Sequence, residues 1–171
     1  MLVLVVGPSG AGKDSLMNGA KALLRGDSRI LFARRAITRP ADPDGEDHEP
    51  VSPAEFAARD FALSWTAHGL SYGIPADIMS AAPVVVANVS RGAIAEAAAR
   101  WPVLVLDVTA PPDVLAARLA ARGRESADDV ARRLRRSVPI PAGVAVETIV
   151  NDGPLDVGVA RFVAVLERLA G

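Results

Sequence analysis

The sequence contains no cysteine among its 171 residues. Disulfides, thiolate metal sites and cysteine nucleophiles are therefore excluded. It also contains no long uncharged apolar run. The opening segment MLVLVVG is far shorter than the roughly 20 residues that span a bilayer, and no charged signal-peptide start precedes it. We therefore predict a cytoplasmic protein that does not contact a membrane.

An excess of charge of either sign is also missing, because the formal net charge is −1. The chain has no overall basic field that would attract nucleic acid, and we expect no nucleic-acid partner. Lysine is scarce: among 19 cationic residues only Lys13 and Lys21 are lysines. The arginine excess alone suggests a GC-rich coding background, and a lysine at position 13 is more notable for that reason.

Short apolar runs alternate with alanine- and leucine-rich segments of helical period. This alternation is typical of an α/β domain in which helices cover both faces of a parallel sheet. The predicted strands are 2–6, 31–35, 83–89, 103–108 and 144–150. The predicted helices are 13–24, 93–100, 113–122 and 155–169.

Two segments interrupt this alternation. Residues 37–82 are rich in Pro, Asp and Gly, with a short helix predicted at 54–59 after the cap Ser52 and an extended segment at 61–68 that ends in a turn. Residues 123–138 are rich in arginine. Because long irregular insertions are often binding regions or lids, we predict one domain with a core, an insertion and a lid. The core is 1–36, 83–122 and 139–171, the insertion is 37–82, and the lid is 123–138.

The most specific motif is G-x-x-x-x-G-K, directly after the first predicted strand and before the first predicted helix. Glycines let the backbone turn its N–H groups toward a polyphosphate, and the helix adds its positive end. A lysine at the end of the motif reaches the β- and γ-phosphates. The motif predicts a P-loop NTPase three-layer fold that binds ATP. Its residues are Gly7, Pro8, Ser9, Gly10, Ala11, Gly12 and Lys13.

The segment that follows departs from the usual P-loop pattern. Asp14, followed by Ser15, stands where a Ser or Thr hydroxyl would bind Mg²⁺. The strand 83–89 carries Asn88 where an acid is expected. We hypothesise that Asp14 supplies the negative charge missing at Asn88 and that Asp14 and Ser15 hold Mg²⁺. The alternative is that Asp14 is simply favoured by the helix dipole.

Several further motifs occur in order along almost the whole chain. They are GPSGAGKDSL from Gly7, ITRP at 37–40, EDH at 46–48, LSWTAHGLSYG at 63–73 and RGRE at 122–125. Together they resemble the ribose 1,5-bisphosphate phosphokinases of phosphonate breakdown, in the guanylate kinase superfamily. The resemblance implies transfer of a phosphoryl group from ATP, with Mg²⁺, to ribose 1,5-bisphosphate. The product would be 5-phosphoribosyl 1-diphosphate, and the insertion would bind the small phosphorylated sugar that accepts the group.

The resemblance also implies roles for single residues of the acceptor site. Guanylate kinases hold the acceptor phosphate with Arg and Tyr side chains, and the matching positions here are Thr38, Arg39, His48 and Tyr72. Alternatively, Arg39 and His48 are surface residues and Tyr72 has a packing role.

The half of the site that reads a guanine base does not match. Ser64 aligns with a base-reading Glu, and Pro75 replaces a small hydroxyl residue. Ser90 and Arg91 follow Asn88, and an arginine there suits a second phosphate. In the alternative interpretation Arg91 caps a helix or pairs with Glu96. A bisphosphorylated sugar without a base fits these residues better than GMP.

The arginine-rich region resembles the lid of the superfamily. Arg122, Arg124 and Arg133 match lid arginines that stabilise charge on the transferred group. The alternative is a solvated charged face. Asn151 and Asp152 are placed near the adenine by the resemblance, or else form a plain turn. Two other carboxylates, Asp107 and Glu147, are expected at strand positions without a partner, and we assign them no chemistry.

Two rival functions stay open on the sequence alone. One is a nucleoside monophosphate kinase related to guanylate kinase. The other is a non-catalytic guanylate-kinase-like binding module, which the intact Gly12-Lys13 pair disfavours. The sequence also leaves open whether the chain forms a homodimer.

Overall fold

A computed structural model describes residues 1–41, 46–121 and 138–171. Its strands fall into two sheets. Numbered along the chain, they are β1 (Leu2–Val6), β2 (Ile30–Phe32), β3 (Ala36–Ile37), β4 (Glu49–Pro50), β5 (Phe61–Ala67), β6 (Leu70–Pro75), β7 (Val84–Asn88), β8 (Val103–Thr109) and β9 (Ala145–Val150). The α-helices are α1 (Lys13–Leu23), α2 (Pro53–Ala57), α3 (Ile94–Arg100), α4 (Pro112–Ala121) and α5 (Leu155–Ala170). Two short 3₁₀ helices lie at Asp77–Ser80 and Arg91–Ala93.

The larger sheet has the order β2-β7-β1-β8-β9, and all of its paired strands are parallel. Successive residues of β1 are buried on opposite faces, because side chains alternate across a strand. Val3 and Val5 pack with residues of α1 and α5, whereas Leu2 and Leu4 pack with α3 and with the second sheet. The predicted three-layer arrangement around a parallel sheet is confirmed.

The second sheet has the order β4-β3-β6-β5 and lies within the predicted insertion. Strands β5 and β6 form an antiparallel hairpin whose turn has positive φ at His68 and Gly69. Such angles match the twist of a two-residue hairpin. Leu63 and Ile74 of this hairpin are buried against the larger sheet. The insertion is therefore attached to the core by apolar packing as well as by the chain itself.

Helix α1, which begins at the end of the glycine motif, packs closely on α5. Gly158 makes this approach feasible, because a Cβ there would lie only 2.7 Å from Leu16 Cδ2 and 3.1 Å from Asn151 Oδ1. Phe162 and Leu166 of α5 are fully buried in the same cluster. The start of α1 is therefore held in place by the C-terminal helix. Within the described ranges, no helix has both the length and the apolar character needed to cross a membrane.

The strand predicted at 31–35 is too long by three residues at its carboxyl end. Strand β2 ends at Phe32 because the side chains of Arg34 and Arg35 turn to the acids Asp47 and Glu46 of the insertion. The four-stranded sheet of the insertion was also not predicted. Its strands β3 and β4 have two residues each, which is too short for a recognisable alternation.

Candidate active site

The glycine motif forms a loop at the carboxyl edge of the larger sheet, between β1 and α1. Gly7, Gly10 and Gly12 all have positive φ, and Ala11 N donates to Pro8 O at 3.3 Å to close the turn. Gly12 also lies against Asn151, so that even a methyl side chain would collide with the Asn151 amide. The conformation is therefore available only to glycine at this position.

Lys13 is the first residue of α1, at the rim of the loop. Its Nζ donates to Gly7 O at 2.8 Å and to Pro8 O at 3.2 Å. These contacts place the ammonium group over the loop, at the positive end of the helix. The combination of a cation, curled backbone and a helix N-terminus is suited to a polyphosphate.

Asn151 supports the loop from behind. Its Nδ2 donates to Ala11 O at 2.8 Å, its backbone N donates to Thr109 O at 2.7 Å, and the residue is buried. The neighbouring Asp152 is exposed. What the structure adds is a bracing role for Asn151, while the nucleotide contacts assigned to Asn151 and Asp152 stay predictions.

Arg118 of α4, one of the arginines clustered around the predicted lid, also reaches the loop. Its Nη1 lies 3.5 Å from Gly10 O. The signal for it in the sequence was only its place on the helix that leads into the arginine-rich region. The lid arginines Arg122, Arg124 and Arg133 lie outside the described residues, as does all of the predicted lid except Val138.

Asp14 and Asn88 meet between α1 and the end of β7. Asn88 Nδ2 donates to Asp14 Oδ1 at 3.1 Å, and Asp14 and Ser15 are both exposed. No group of three or more His, Asp or Glu side chains that could hold a metal occurs in the described part of the chain. Mg²⁺ usually takes one or two protein carboxylates together with waters and substrate phosphates. Asp14 and Ser15 would hold the ion beside the loop.

The residues expected to hold the acceptor phosphate lie in or beside the second sheet. Thr38 Oγ1 accepts from Ser71 N at 2.9 Å and links the chain after β3 to β6. His48 is buried, with Nδ1 2.9 Å from Glu46 O and Nε2 3.1 Å from Arg39 O. It therefore holds together the two ends of the segment between residues 39 and 46. A direct contact of His48 with the acceptor stays a prediction.

Arg39 lies beside His48, with Nη2 3.4 Å from His48 Nδ1. Among the described residues, its Nε is the one buried side-chain polar atom without a hydrogen-bond partner. A buried donor of this kind calls for an anion or another acceptor, which agrees with its predicted role.

Tyr72 stacks on Trp65 across the β5–β6 hairpin, with ring centroids 5.6 Å apart. Its contact with the acceptor phosphate is likewise untested.

Arg91 and Asp107 form an ion pair at the carboxyl edge of the larger sheet. Arg91 Nη2 lies 2.9 Å from both Asp107 oxygens. The expectation that Asp107 has no partner was wrong, because β7 and β8 flank β1 and bring the two side chains together. Glu147 also has a partner, Arg168 of α5. Glu96, the other partner considered for Arg91, pairs with Arg100 at 3.3 Å, and Ser90 Oγ accepts from Gly92 N at 3.4 Å.

One titratable group beside the site is perturbed. Arg34 Nε donates to Asp47 Oδ1 at 2.9 Å, and this bond holds the pKa of that carboxyl below its ordinary value. Lys21, 3.6 Å away on α1, acts in the same direction. Asp47 thus stays ionised and ties the insertion to the core.

Comparison with known proteins decides the family. The chain is 52% identical to a ribose 1,5-bisphosphate phosphokinase of Acidiphilium cryptum over 98% of this chain and 92% of that protein. The chain belongs to the ribose 1,5-bisphosphate phosphokinase family. A member from Agrobacterium fabrum is 46% identical over 99% of this chain and 98% of its own length.

The family also includes longer proteins. The chain is 55% identical to a bifunctional ribose 1,5-bisphosphokinase-thymidine phosphorylase of Cupriavidus pinatubonensis, but spans only 29% of its length. No family model matches the chain. Among solved structures, a guanylate kinase from Anaplasma phagocytophilum superposes with a TM-score of 0.67 at 16% identity, covering 98% of this chain and 84% of that one. At that identity the likeness concerns the fold, which is that of a P-loop kinase.

Proposed function

We propose that this protein transfers the γ-phosphoryl group of ATP to ribose 1,5-bisphosphate and forms 5-phosphoribosyl 1-diphosphate. The observation that carries the proposal is the phosphate loop with Lys13 above it. In the acceptor insertion, Ser64 and Pro75 stand where the resemblance implies the base-reading groups of guanylate kinases. The names of its full-length relatives support the same reaction.

The loop residues would act mainly by positioning. The backbone N–H groups of the loop, which Pro8 lacks, bind the β- and γ-phosphates, and Lys13 moves from the loop carbonyls to their oxygens. Arg118 is close enough to add a second positive charge. Mg²⁺, held by Asp14 and Ser15, would neutralise part of the charge on the phosphates. The acceptor phosphate is already ionised near neutral pH, so that no general base is needed.

The acceptor would bind beside the second sheet. Arg39, with its unsatisfied Nε, and the Tyr72 hydroxyl would hold its phosphate. Arg91 is held by its ion pair with Asp107 at the carboxyl edge of the larger sheet, where the phosphate loop also lies. There it would face the second phosphate of the acceptor. We further propose that the reaction takes place in the cytoplasm, where ATP is available.

Product identification tests the proposal. The protein is incubated with ATP, Mg²⁺ and ribose 1,5-bisphosphate, and the products are followed by ³¹P NMR, with GMP as a parallel acceptor. We expect equimolar ADP and 5-phosphoribosyl 1-diphosphate, with little GDP. Efficient GDP formation without the diphosphate product would favour the guanylate-like kinase instead. Failure to bind ATP in calorimetry would favour the non-catalytic binding module.

A further inference from the structure

The hairpin β5–β6 presents two aromatic rings side by side. Trp65 and Tyr72 are cross-strand partners, and their ring planes are within 5° of parallel. Both residues are only partly buried. Aromatic faces of this kind are surfaces on which nucleobases stack, whatever their sequence. A nucleotide acceptor would thus have a ready surface for its base.

Arg35 already occupies this surface. Its Cζ lies over both rings, 5.2 Å from the Tyr72 centroid and 5.9 Å from the Trp65 centroid. A guanidinium in this position gains cation–π attraction from each ring. The arginine thus competes for the same faces that a base would use.

The guanidinium is held there by hydrogen bonds. Nε donates to Glu46 Oε1 at 2.7 Å, Nη2 pairs with Glu46 Oε2, and Nη1 donates to Asn88 O at 3.1 Å. The Arg35 side chain is only 10% exposed. Displacing it would break a paired, largely desolvated bidentate contact, which is costly because the separated charges are left without partners.

This aromatic surface lies next to the proposed reaction centre. Asn88 ends β7 at the carboxyl edge of the larger sheet, and its side chain bonds to Asp14 at the start of α1. Arg35 is therefore linked through Asn88 to Asp14, the residue that directly follows the phosphate loop. A base attached to an acceptor at this site would have to pass the guanidinium.

We propose that Arg35 is a specificity-determining residue that excludes nucleoside monophosphates by covering the Trp65–Tyr72 surface. The inference rests on the proposed function, since it concerns the acceptor site of that reaction. A sugar phosphate without a base does not need the covered rings and is admitted. Glu46 acts through Arg35 and is a positioning residue.

The test uses equilibrium binding, so that it does not depend on turnover. In a Trp101→Phe background Trp65 is the only tryptophan, and its fluorescence reports contact with a base. The double variant Arg35→Ala/Glu46→Ala removes both charges together, and Arg35→Lys is the matched control that keeps a cation. Each protein is titrated with GMP and with ribose 5-phosphate, which lacks the base.

We expect the double variant to bind GMP at least about tenfold more tightly than the parent, with quenching of Trp65. Ribose 5-phosphate should not gain affinity, and Arg35→Lys should behave as the parent does. Equal GMP affinity in a folded double variant, or quenching already in the parent, overturns the inference. If the double variant does not fold, Arg35→Gln, which keeps a donor for Asn88 O, is judged by the same criteria.

The two proposals fail in different ways. A parent protein that makes 5-phosphoribosyl 1-diphosphate while the Arg35 variants show no gain in GMP binding refutes only the role of Arg35. A parent protein that forms no such product refutes the proposed function, whatever the fluorescence shows.

Discussion

The side-chain amide of Asn88 donates a hydrogen bond of 3.1 Å to the carboxylate of Asp14. The two residues come from the end of β7 and the start of α1, 74 positions apart in the chain. P-loop enzymes usually carry an acidic residue at the end of this strand. This chain has Asn88 there, and the Asn88 amide orients the carboxylate of Asp14 on helix α1. The hydrogen bond brings the Asp14 carboxylate beside Asn88. That this carboxylate supplies the missing negative charge to Mg²⁺ stays a prediction.

We expect Asp14→Ser to weaken the response to Mg²⁺, because the variant loses the charged oxygen beside the loop. The Mg²⁺ concentration that gives half-maximal activity at saturating ATP should rise by on the order of tenfold. Titration of activity with MgCl₂ measures the change. An unchanged half-maximal concentration would mean that Asp14 serves only the helix dipole.

A double variant that moves the carboxylate from the helix to the strand end tests whether the two positions are equivalent for Mg²⁺. In Asp14→Ser/Asn88→Asp the carboxylate returns to the strand end, and the hydroxyl returns to the helix, as in the usual P-loop arrangement. We expect the double variant to recover most of the Mg²⁺ response that Asp14→Ser loses. Asn88→Asp alone should not improve on the parent, because two carboxylates would then repel each other in place of the present hydrogen bond. Equal defects in the single and double variants would contradict the exchange.

Lys13→Ala should lower kcat by about 10²–10³-fold, because the variant removes a positioned cation from the transferred phosphoryl group. Lys21→Ala is the matched control. Lys21 is the other lysine of the chain, and its side chain is 54% exposed beside Asp47. Steady-state rates with ATP and ribose 1,5-bisphosphate, together with thermal melts, separate catalysis from folding. Full activity of a folded Lys13→Ala protein would refute the assignment of the loop.

The larger sheet and the loop were predictable because local sequence carries them. A continuous apolar run followed by G-x-x-x-x-G-K needs no distant residue to be recognised as a buried strand and a phosphate loop. Of the predicted strands, only 31–35 extends well beyond its observed end at Phe32. Its arginines continue an extended pattern, while their partners Glu46 and Asp47 lie more than ten positions away.

The contacts that the sequence did not reveal all join residues that lie far apart in the chain. The Asn151 side chain donates to Ala11 O, 140 positions away in the sequence. The Arg118 guanidinium contacts Gly10 O, 108 positions away. Asp107 appeared unpartnered because nothing in its neighbourhood indicates that β7 would bring Arg91 beside it. Only the strand order β7-β1-β8 makes that pair evident.

Arg118→Ala should reduce kcat/KM for ATP by at least about tenfold, equivalent to roughly 1.4 kcal/mol of transition-state stabilisation. The reason is the loss of a guanidinium 3.5 Å from the Gly10 carbonyl, where it adds positive charge beside the loop. Arg25→Ala, on an exposed residue after α1, is the control for the loss of one arginine. Equal kinetics for the two variants would mean that Arg118 contributes nothing beyond general charge.

Asn151→Asp tests whether the brace behind the loop matters for nucleotide binding. The substitution keeps the shape of the side chain but replaces the donor to Ala11 O by an oxygen that faces a carbonyl in a buried position. We expect a loss of about 1–3 kcal/mol in the free energy of unfolding, together with weaker ATP binding. Urea unfolding and calorimetric titration with ATP measure the two effects. Asp152→Asn makes the reverse change at the exposed neighbour and should leave stability within about 0.5 kcal/mol. If Asn151→Asp matches the parent in both measurements, Asn151 does not hold the loop.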